Sequence, residues 1–154
     1  MKTKFFQLLS VVAIATVSFN SCTTDACKDV DCGLYGECVD GDCVCDTGYE
    51  GVNCDTPWSA YFLGTYAGLD TCGFQYESII SGGASATTLS ISNIFGLAAS
   101  GTATVISNTA GTIQIPSQTV NGYVVSGSGA LVGDVITIDY TIDGDDCMLT
   151  YTRP

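Results

Sequence analysis

The stretch Val135-Ile-Thr-Ile-Asp-Tyr-Thr-Ile142 alternates apolar and polar residues without a break. Successive side chains of an extended chain point to opposite sides, so the isoleucines and the tyrosine share one face. Thr137, Asp139 and Thr141 share the other face. This alternation predicts a β-strand that turns one face to a core and the other to water.

Similar alternation recurs between turn signals throughout residues 58–154. It predicts about eight strands, at residues 60–68, 74–80, 87–91, 102–106, 111–115, 118–131, 135–142 and 148–153. Turn sequences separate them at Ser81-Gly82-Gly83, Asn108-Thr-Ala-Gly111, Gly133-Asp134 and Asp143-Gly144. Asn121-Gly122 lies inside the sixth segment, where a hairpin turn is the alternative interpretation.

Short strands joined by hairpins favour a closed antiparallel up-and-down β-barrel, because closure leaves no strand edge unpaired. A β-sandwich is the alternative. Cys72 follows the first predicted strand and Cys147 precedes the last. A bridge between them would tie together the two elements that meet when a barrel closes, and it is worth about 4 kcal/mol in the chain-entropy description.

Six of the nine cysteines crowd into residues 27–54. A segment this short with so few apolar residues cannot form a sufficient core, so disulfides must hold it together. Six cysteines permit fifteen pairings, which their spacing does not resolve. With 154 residues in all, the chain has room for this small module and one ordinary domain.

The cysteine spacing, with its Cys43-Val-Cys45 pair and Gly48-Tyr-Glu-Gly51, resembles that of an EGF-like domain. The resemblance implies the pairs Cys27–Cys38, Cys32–Cys43 and Cys45–Cys54. The motif of calcium-binding members is absent, so Asp25, Asp40 and Asp42 are interpreted as solvated turn residues. Residues 27–54 are then a compact spacer, joined by a linker at 55–57 to the domain at 58–154.

The N-terminus reads as a signal peptide over residues 1–21, with Lys2 and Lys4 before an apolar run. The following Ser18-Phe-Asn-Ser-Cys22 resembles the relaxed lipobox of Bacteroidota lipoproteins. The resemblance implies that Cys22 is lipidated, that residues 22–26 form a tether, and that the protein is anchored to the outer membrane or cell surface. The alternative is cleavage near Ser21 that leaves Cys22 as a free thiol, but the eight other cysteines can all pair without it.

The formal net charge is -12. Lys2 and Lys4 belong to the leader, so Lys28 and Arg153 face sixteen acidic residues in the rest of the chain. Phosphate binding requires Lys and Arg, so the composition excludes a nucleic-acid partner. The acidity indicates either cation affinity or solubility, and solubility is the simpler interpretation.

Several segments of residues 58–154 resemble the lipocalin-like or calycin-like barrels of bacterial surface lipoproteins. They are Phe62-Leu-Gly-Thr-Tyr66, Thr71-Cys-Gly73, Ile115-Pro-Ser-Gln118, Val125-Ser-Gly-Ser-Gly129 and Asp146-Cys147 through Thr150-Tyr-Thr152. Lipocalins carry an aromatic residue on the first strand beneath an arginine near the last. The resemblance implies a cation–π closure of Arg153 over Tyr66, or over Trp58.

The chain contains no histidine, which removes the commonest general base and most zinc sites. No serine has a plausible activating base. A carboxylate pair acting on a glycosidic bond is a distant alternative, with its candidates at Asp134, Asp139, Asp143, Asp145 and Asp146. We therefore expect neither an enzyme nor a cofactor.

We also predict no metal site, and Asp143, Asp145 and Asp146 are the weak calcium candidates. Eight aromatic residues could line an apolar or glycan-binding cavity or simply pack the core: Tyr61, Phe62, Tyr66, Phe74, Tyr76, Tyr123, Tyr140 and Tyr151. The sequence thus predicts a lipid-anchored surface protein whose barrel binds a small apolar or glycan ligand or a protein partner. A purely structural protein with a filled barrel is the alternative.

Overall fold

The computed structural model describes residues 25–109 and 111–154. The predicted signal peptide and lipidation site, Cys22, lie outside these residues, and so does most of the tether. Within them the fold is all-β, with a disulfide-rich N-terminal module and a closed barrel, as predicted. No helix in this part of the chain has the length and apolar character needed to cross a membrane.

The N-terminal module contains three short strands, β1 (Gly36–Val39), β2 (Asp42–Cys45) and β3 (Tyr49–Glu50), and a fourth, β4 (Thr56–Pro57), follows it in the linker. Its disulfides join Cys27 to Cys38, Cys32 to Cys43 and Cys45 to Cys54, the pairs that the EGF-like resemblance implies. Leu34 and Val52 are 90% and 87% exposed. Covalent bonds, rather than an apolar core, therefore hold this module together.

The barrel consists of eight antiparallel strands in the described chain. They are β5 (Gly64–Asp70), β6 (Gln75–Gly82), β7 (Thr88–Ile91), β8 (Gly101–Ser107), β9 (Thr112–Val120), β10 (Tyr123–Val132), β11 (Val135–Ile142) and β12 (Asp145–Thr152). Each strand pairs with its neighbours in the chain, and β12 pairs with β5 to close the barrel. This closure rules out the β-sandwich.

The Cys72–Cys147 disulfide lies beside the closing seam. There Leu149 is opposite Asp70, and Thr152 is opposite Ala67. The bridge thus joins the loop after β5 to β12, the two strands whose pairing completes the barrel. This is the placement that the sequence predicts.

Alternation along each strand fills the barrel interior. Ile136 and Ile138 of β11 are fully buried, whereas Thr137 and Asp139 are exposed. The inward-facing residues of the other strands are buried in the same way. The largest fully buried side chains among them include Tyr66, Ile80, Leu89, Ile91, Ile113, Ile115, Leu149 and Tyr151. They form one cluster with Phe62 and Phe95. The interior is therefore a packed core.

The strand prediction for residues 111–131 is wrong in its division. Residues 112–120 form a single strand, and Asn121-Gly122 is the hairpin turn that the alternative interpretation named. Pro116 lies inside β9, at a bulge where the pairing register with β10 shifts between Val125 and Gly127. A bulge tolerates proline because the ladder is already interrupted there.

Gln118 repairs the interrupted ladder beside Pro116. Its side-chain Nε2 donates to the Thr102 carbonyl at 2.8 Å, and its Oε1 accepts the Thr102 N–H at 2.9 Å. The amide side chain thus takes the place of a backbone partner for β8. The first barrel strand also starts later than predicted, at Gly64, because Trp58–Phe62 forms a 3₁₀ helix.

The predicted linker, residues 55–57, is part of a structured junction. Its Thr56 and Pro57 pair with Glu50 and Tyr49 as strand β4. Trp58 then donates its backbone N–H to the Gly48 carbonyl and its indole Nε1 to the Tyr49 carbonyl. Because each of these bonds joins the module to the segment that leads into β5, the module is fixed against one end of the barrel.

The barrel therefore has two different ends. The end beside the module, which we call the proximal end, carries the 83–87 loop and the Gly133-Asp134 turn, and Ser59 donates to Ala86 there. The opposite, distal end carries the loops 71–74 and 92–100 and the turns Asn121-Gly122 and Asp143-Gly144.

Candidate binding cleft at the distal end of the barrel

Arg153 closes the proximal end. Its guanidinium lies 5.2 Å from the centroid of the Tyr66 ring, and Nη2 donates to the Tyr66 hydroxyl at 2.6 Å. The same nitrogen donates to the carbonyls of Tyr61 and Leu63. Of the closure candidates, the structure thus brings Arg153 and Tyr66 together. Trp58 lies at the module junction, partly buried against the core.

A group of polar side chains is buried within the barrel. The Tyr140 hydroxyl donates to Asp70 Oδ2 at 3.1 Å, and Asp70 Oδ1 accepts the Phe74 N–H at 3.0 Å. The hydroxyls of Ser78 and Tyr151 are 2.8 Å apart. Burial raises the pKa of Tyr151 to about 12 and raises the pKa values of Tyr76 and Tyr140 as well. These phenols therefore stay protonated at neutral pH.

Tyr76 is the exception within this group. Its hydroxyl is buried and makes no hydrogen bond of good geometry with the described residues, although it lies close to the Tyr151 hydroxyl. Gly68 makes room for the ring, because a Cβ there would lie 3.0 Å from Tyr76 Cε2 and 2.9 Å from Tyr151 Cε1. The ring is thus accommodated by packing, whereas its polar tip is left unsatisfied.

The loop 92–100 holds Phe95 over the distal end of the barrel. Phe95 has a φ of 53°, a left-handed conformation that is rare for a bulky residue. Asn93 braces the loop: its Oδ1 accepts the Ala98 N–H at 2.8 Å, and its Nδ2 donates to the Glu77 carbonyl at 3.1 Å. The Phe95 ring stacks on Tyr140 with centroids 3.8 Å apart. These contacts keep the strained residue in place.

An apolar cleft of about 380 Å³ opens above this stacked pair. Phe74, Leu97, Tyr123 and Ile142 contribute its walls. Phe95 is 3% exposed, whereas Phe74 and Tyr123 are 59% and 44% exposed. The cleft, which we call the distal cleft, therefore combines a buried aromatic floor with walls that reach solvent.

The distal cleft offers few polar contacts. Asn121 lines it, but its Nδ2 already donates to the Leu97 carbonyl at 3.0 Å. The Tyr140 hydroxyl is committed to Asp70. Specific sites for polar ligands need several convergent hydrogen-bonding groups, so this cleft is suited to an apolar group.

Of the eight aromatic residues named from the sequence, three line the distal cleft: Phe74, Tyr123 and Tyr140. Phe62, Tyr66 and Tyr151 are in the core, Tyr76 packs against it, and Tyr61 is exposed at the proximal end. Sequence reasoning missed Phe95. The signal was available, since an Ile-Phe pair between Asn93 and Gly96 places large apolar residues in a turn.

A larger groove of about 550 Å³ runs along the outside of the barrel. Some of its polar groups are paired: Gln114 donates to the Gly127 carbonyl, and the hydroxyls of Ser126 and Thr141 are 3.0 Å apart. Asp139 and Asp146 also line the groove and are exposed. The groove is more open to solvent than the distal cleft, so it is the weaker candidate for enclosing a ligand.

The acidic candidates occupy separate places. Asp134 forms an exposed ion pair with Arg153 at the proximal end, and Asp139 is exposed on the outer face of β11. Asp143 accepts the Val124 N–H at 2.8 Å in a distal turn, and Asp145 and Asp146 follow it, exposed. Within residues 25–109 and 111–154, no group of three or more such side chains could hold a metal ion.

The distal end is therefore negatively charged. Lys28 belongs to the N-terminal module, and Arg153 is at the proximal end. Neither basic residue of the described chain is thus near Asp143, Asp145 and Asp146.

Comparison of the chain with protein-family models, curated proteins and solved structures finds no match.

Proposed function

We propose that this chain is a lipid-anchored surface protein whose barrel is a binding module presented on an EGF-like spacer. One observation carries the proposal: the distal cleft opens at the end of the barrel opposite the N-terminal module. A strand of eight residues spans roughly 26 Å. An anchor at Cys22 would therefore leave the cleft facing away from the membrane.

Other features support the parts of this proposal. The three disulfides of residues 27–54 have the pairing of an EGF-like domain. A closed barrel with Arg153 over Tyr66 fits a lipocalin-like domain. The hydrogen bonds from Trp58 to Gly48 and Tyr49 make the spacer rigid, so it holds the barrel in one orientation.

The packed interior directs the binding function to the cleft. Phe62 and Tyr66 fill the proximal side of the barrel, and the Phe95–Tyr140 pair covers the distal side. A ligand inside the barrel would have to displace these side chains. A ligand in the distal cleft needs no such rearrangement.

The anchor is tested by labelling with radioactive palmitate in a host that processes lipoproteins. We expect the full chain to incorporate label and Cys22→Ala to incorporate none, because acylation requires that thiol. Protease added to intact cells should also release the barrel from the wild-type surface. Equal labelling of the two chains would refute the anchor.

A structural role is the second candidate, because the barrel interior is filled. The two functions differ at Phe74 and Tyr123, which contribute little to the core but line the distal cleft. If the variants with serine at these two positions fold and bind every tested ligand or partner as the wild-type protein does, the structural role is favoured.

A further inference from the structure

We infer that the distal cleft binds a cationic peptide segment of a partner protein. One apolar side chain of the segment enters the cleft, and flanking Lys or Arg residues face the carboxylates of Asp143 and Asp145. The inference rests on the proposed binding function of the barrel. It does not depend on the lipid anchor.

The size of the cleft fits a single anchoring side chain. Its volume of about 380 Å³ is near the lower end of the range for ligand pockets, about 300–1,000 Å³. Protein interfaces commonly concentrate their binding energy in one or two aromatic or aliphatic residues inserted in such pockets. The stacked rings of Phe95 and Tyr140 supply an apolar floor for such a residue.

The cleft is also held in shape before binding. The Cys72–Cys147 disulfide fixes the loop that carries Phe74, and the two Asn93 hydrogen bonds fix the loop that carries Phe95 and Leu97. Little conformational freedom remains to be lost when a partner binds. Such preorganisation favours affinity in a small site.

The carboxylates belong to residues that directly follow the cleft-lining end of β11 in the chain. Asp143 follows the cleft residue Ile142 and accepts the backbone N–H of Val124, the neighbour of Tyr123. Asp145 begins β12 directly after the same turn, whereas Asp146 lines the outer groove beside Asp139 and Met148. A positive charge next to the bound apolar side chain would therefore meet carboxylates and the exposed rings of Phe74 and Tyr123.

Charge also decides among the other occupants. Anionic lipids would be repelled by this end of the barrel, and so would a second copy of the chain, whose sixteen acidic residues far outnumber its bases. A glycan would find few free polar groups in the cleft. A cationic peptide with an apolar anchoring side chain matches both the apolar lining of the cleft and the negative charge of the distal end.

The test uses the full chain carrying Cys22→Ala, exported so that its disulfides form, and fluorescence anisotropy of labelled peptides. The first peptide has a central Phe with two Lys on each side; matched peptides have a central Ala or flanking Glu. We expect the Phe–Lys peptide to bind at least about tenfold more tightly than either matched peptide. Its affinity should fall as salt screens the flanking charges.

Variants locate the site. Phe74→Ser and Leu97→Ser should each weaken binding of the Phe–Lys peptide by about tenfold. The double change Asp143→Asn and Asp145→Asn should reduce the preference for Lys over Glu flanks, and asparagine at position 143 can still accept the Val124 N–H. Val132→Ser is the matched control, because Val132 is exposed and apolar but lies at the proximal end. Thermal unfolding confirms that each variant folds.

Several outcomes would overturn the inference: no binding of any peptide, equal binding of the Phe and Ala peptides, or equal binding with Lys and Glu flanks. Phe74-dependent binding of a neutral oligosaccharide or phosphatidylcholine vesicles, with no peptide selectivity, would keep the binding function but replace the occupant. Phe74-dependent dimerisation in light scattering would do the same. Failure of palmitate labelling alone would overturn only the anchor.

Discussion

Two tyrosines inside the barrel have opposite hydrogen-bonding situations. The Tyr140 hydroxyl donates to the buried Asp70, whereas the Tyr76 hydroxyl makes no hydrogen bond of good geometry with the described residues. Leaving a buried polar group unsatisfied costs about 1–3 kcal/mol, while a satisfied hydrogen bond contributes about 1 kcal/mol. The same chemical change should therefore have opposite effects at these two positions.

We predict that Tyr76→Phe is neutral or increases the free energy of unfolding by up to about 1 kcal/mol. Tyr140→Phe should decrease it by about 1–2 kcal/mol, because Asp70 Oδ2 loses its donor. Urea unfolding of the two variants measures both effects. Each variant is the other's control, since both remove one phenolic oxygen. A loss of stability in Tyr76→Phe would indicate that its hydroxyl does have a partner, and the nearby Tyr151 hydroxyl is the first candidate.

At the scale of elements, the loop 92–100 shows what determines the shape of the distal cleft. Asn93, Phe95 and Ala98 all have positive φ angles, of 46°, 53° and 54°. Such conformations cost about 1–3 kcal/mol each in non-glycine residues unless the surroundings impose them. The Asn93 hydrogen bonds and the stacking of Phe95 on Tyr140 are the contacts that impose them here.

Ala98 offers a test of this strain, because its side chain is exposed. We predict that Ala98→Gly raises the free energy of unfolding by up to about 1 kcal/mol, since glycine adopts a positive φ freely. The neighbouring Ala99→Gly is the control. Ala99 is not among the residues with positive φ, so glycine there should lower stability by about 0.5–1 kcal/mol. Denaturant unfolding measures both variants. If the two substitutions changed the free energy of unfolding in the same direction, the prediction would be wrong.

The predicted elements succeed where periodicity is uninterrupted and fail where a side chain replaces the backbone. Residues 135–142 form a strand with the predicted bounds. The predicted strands 111–115 and 118–131 leave Pro116 between them, yet β9 continues through it because a bulge and the Gln118 side chain accommodate the missing donor. No local pattern shows that Gln118 will reach Thr102, sixteen positions earlier. The rigid junction at residues 55–57 depends in the same way on contacts with the module.

For the whole molecule, sequence reasoning gave the closed barrel, because eight amphipathic hairpin strands have few other ways to pair every edge. It did not give the distal cleft. The cleft is made from four separate segments: the loops 71–74 and 92–100, the start of β10 and the end of β11. Their meeting is a consequence of closure, and the role of Phe95 depends on a left-handed backbone that alternation does not encode.

The buried tyrosines also govern how the whole barrel responds to alkaline pH. Burial raises the pKa of Tyr151 to about 12, and the pKa values of Tyr76 and Tyr140 are raised in the same direction. An unfolded tyrosine has a pKa of about 10. Between pH 10 and 12 the unfolded chain therefore binds fewer protons than the folded chain, so stability falls as the pH rises.

We predict a constant free energy of unfolding between pH 7 and about 9, and a decline above about pH 10 that approaches 1.4 kcal/mol per pH unit for each buried tyrosine. A step in phenolate absorbance from Tyr76, Tyr140 and Tyr151 should accompany the loss of the far-ultraviolet circular dichroism signal, because these three phenols ionise only on unfolding. Tyr76→Phe has one fewer such group, so its alkaline unfolding midpoint should be higher. Recovery on return to pH 8 separates this transition from disulfide damage. Ionisation of Tyr76, Tyr140 and Tyr151 near pH 10 with the barrel still folded would contradict the packed interior.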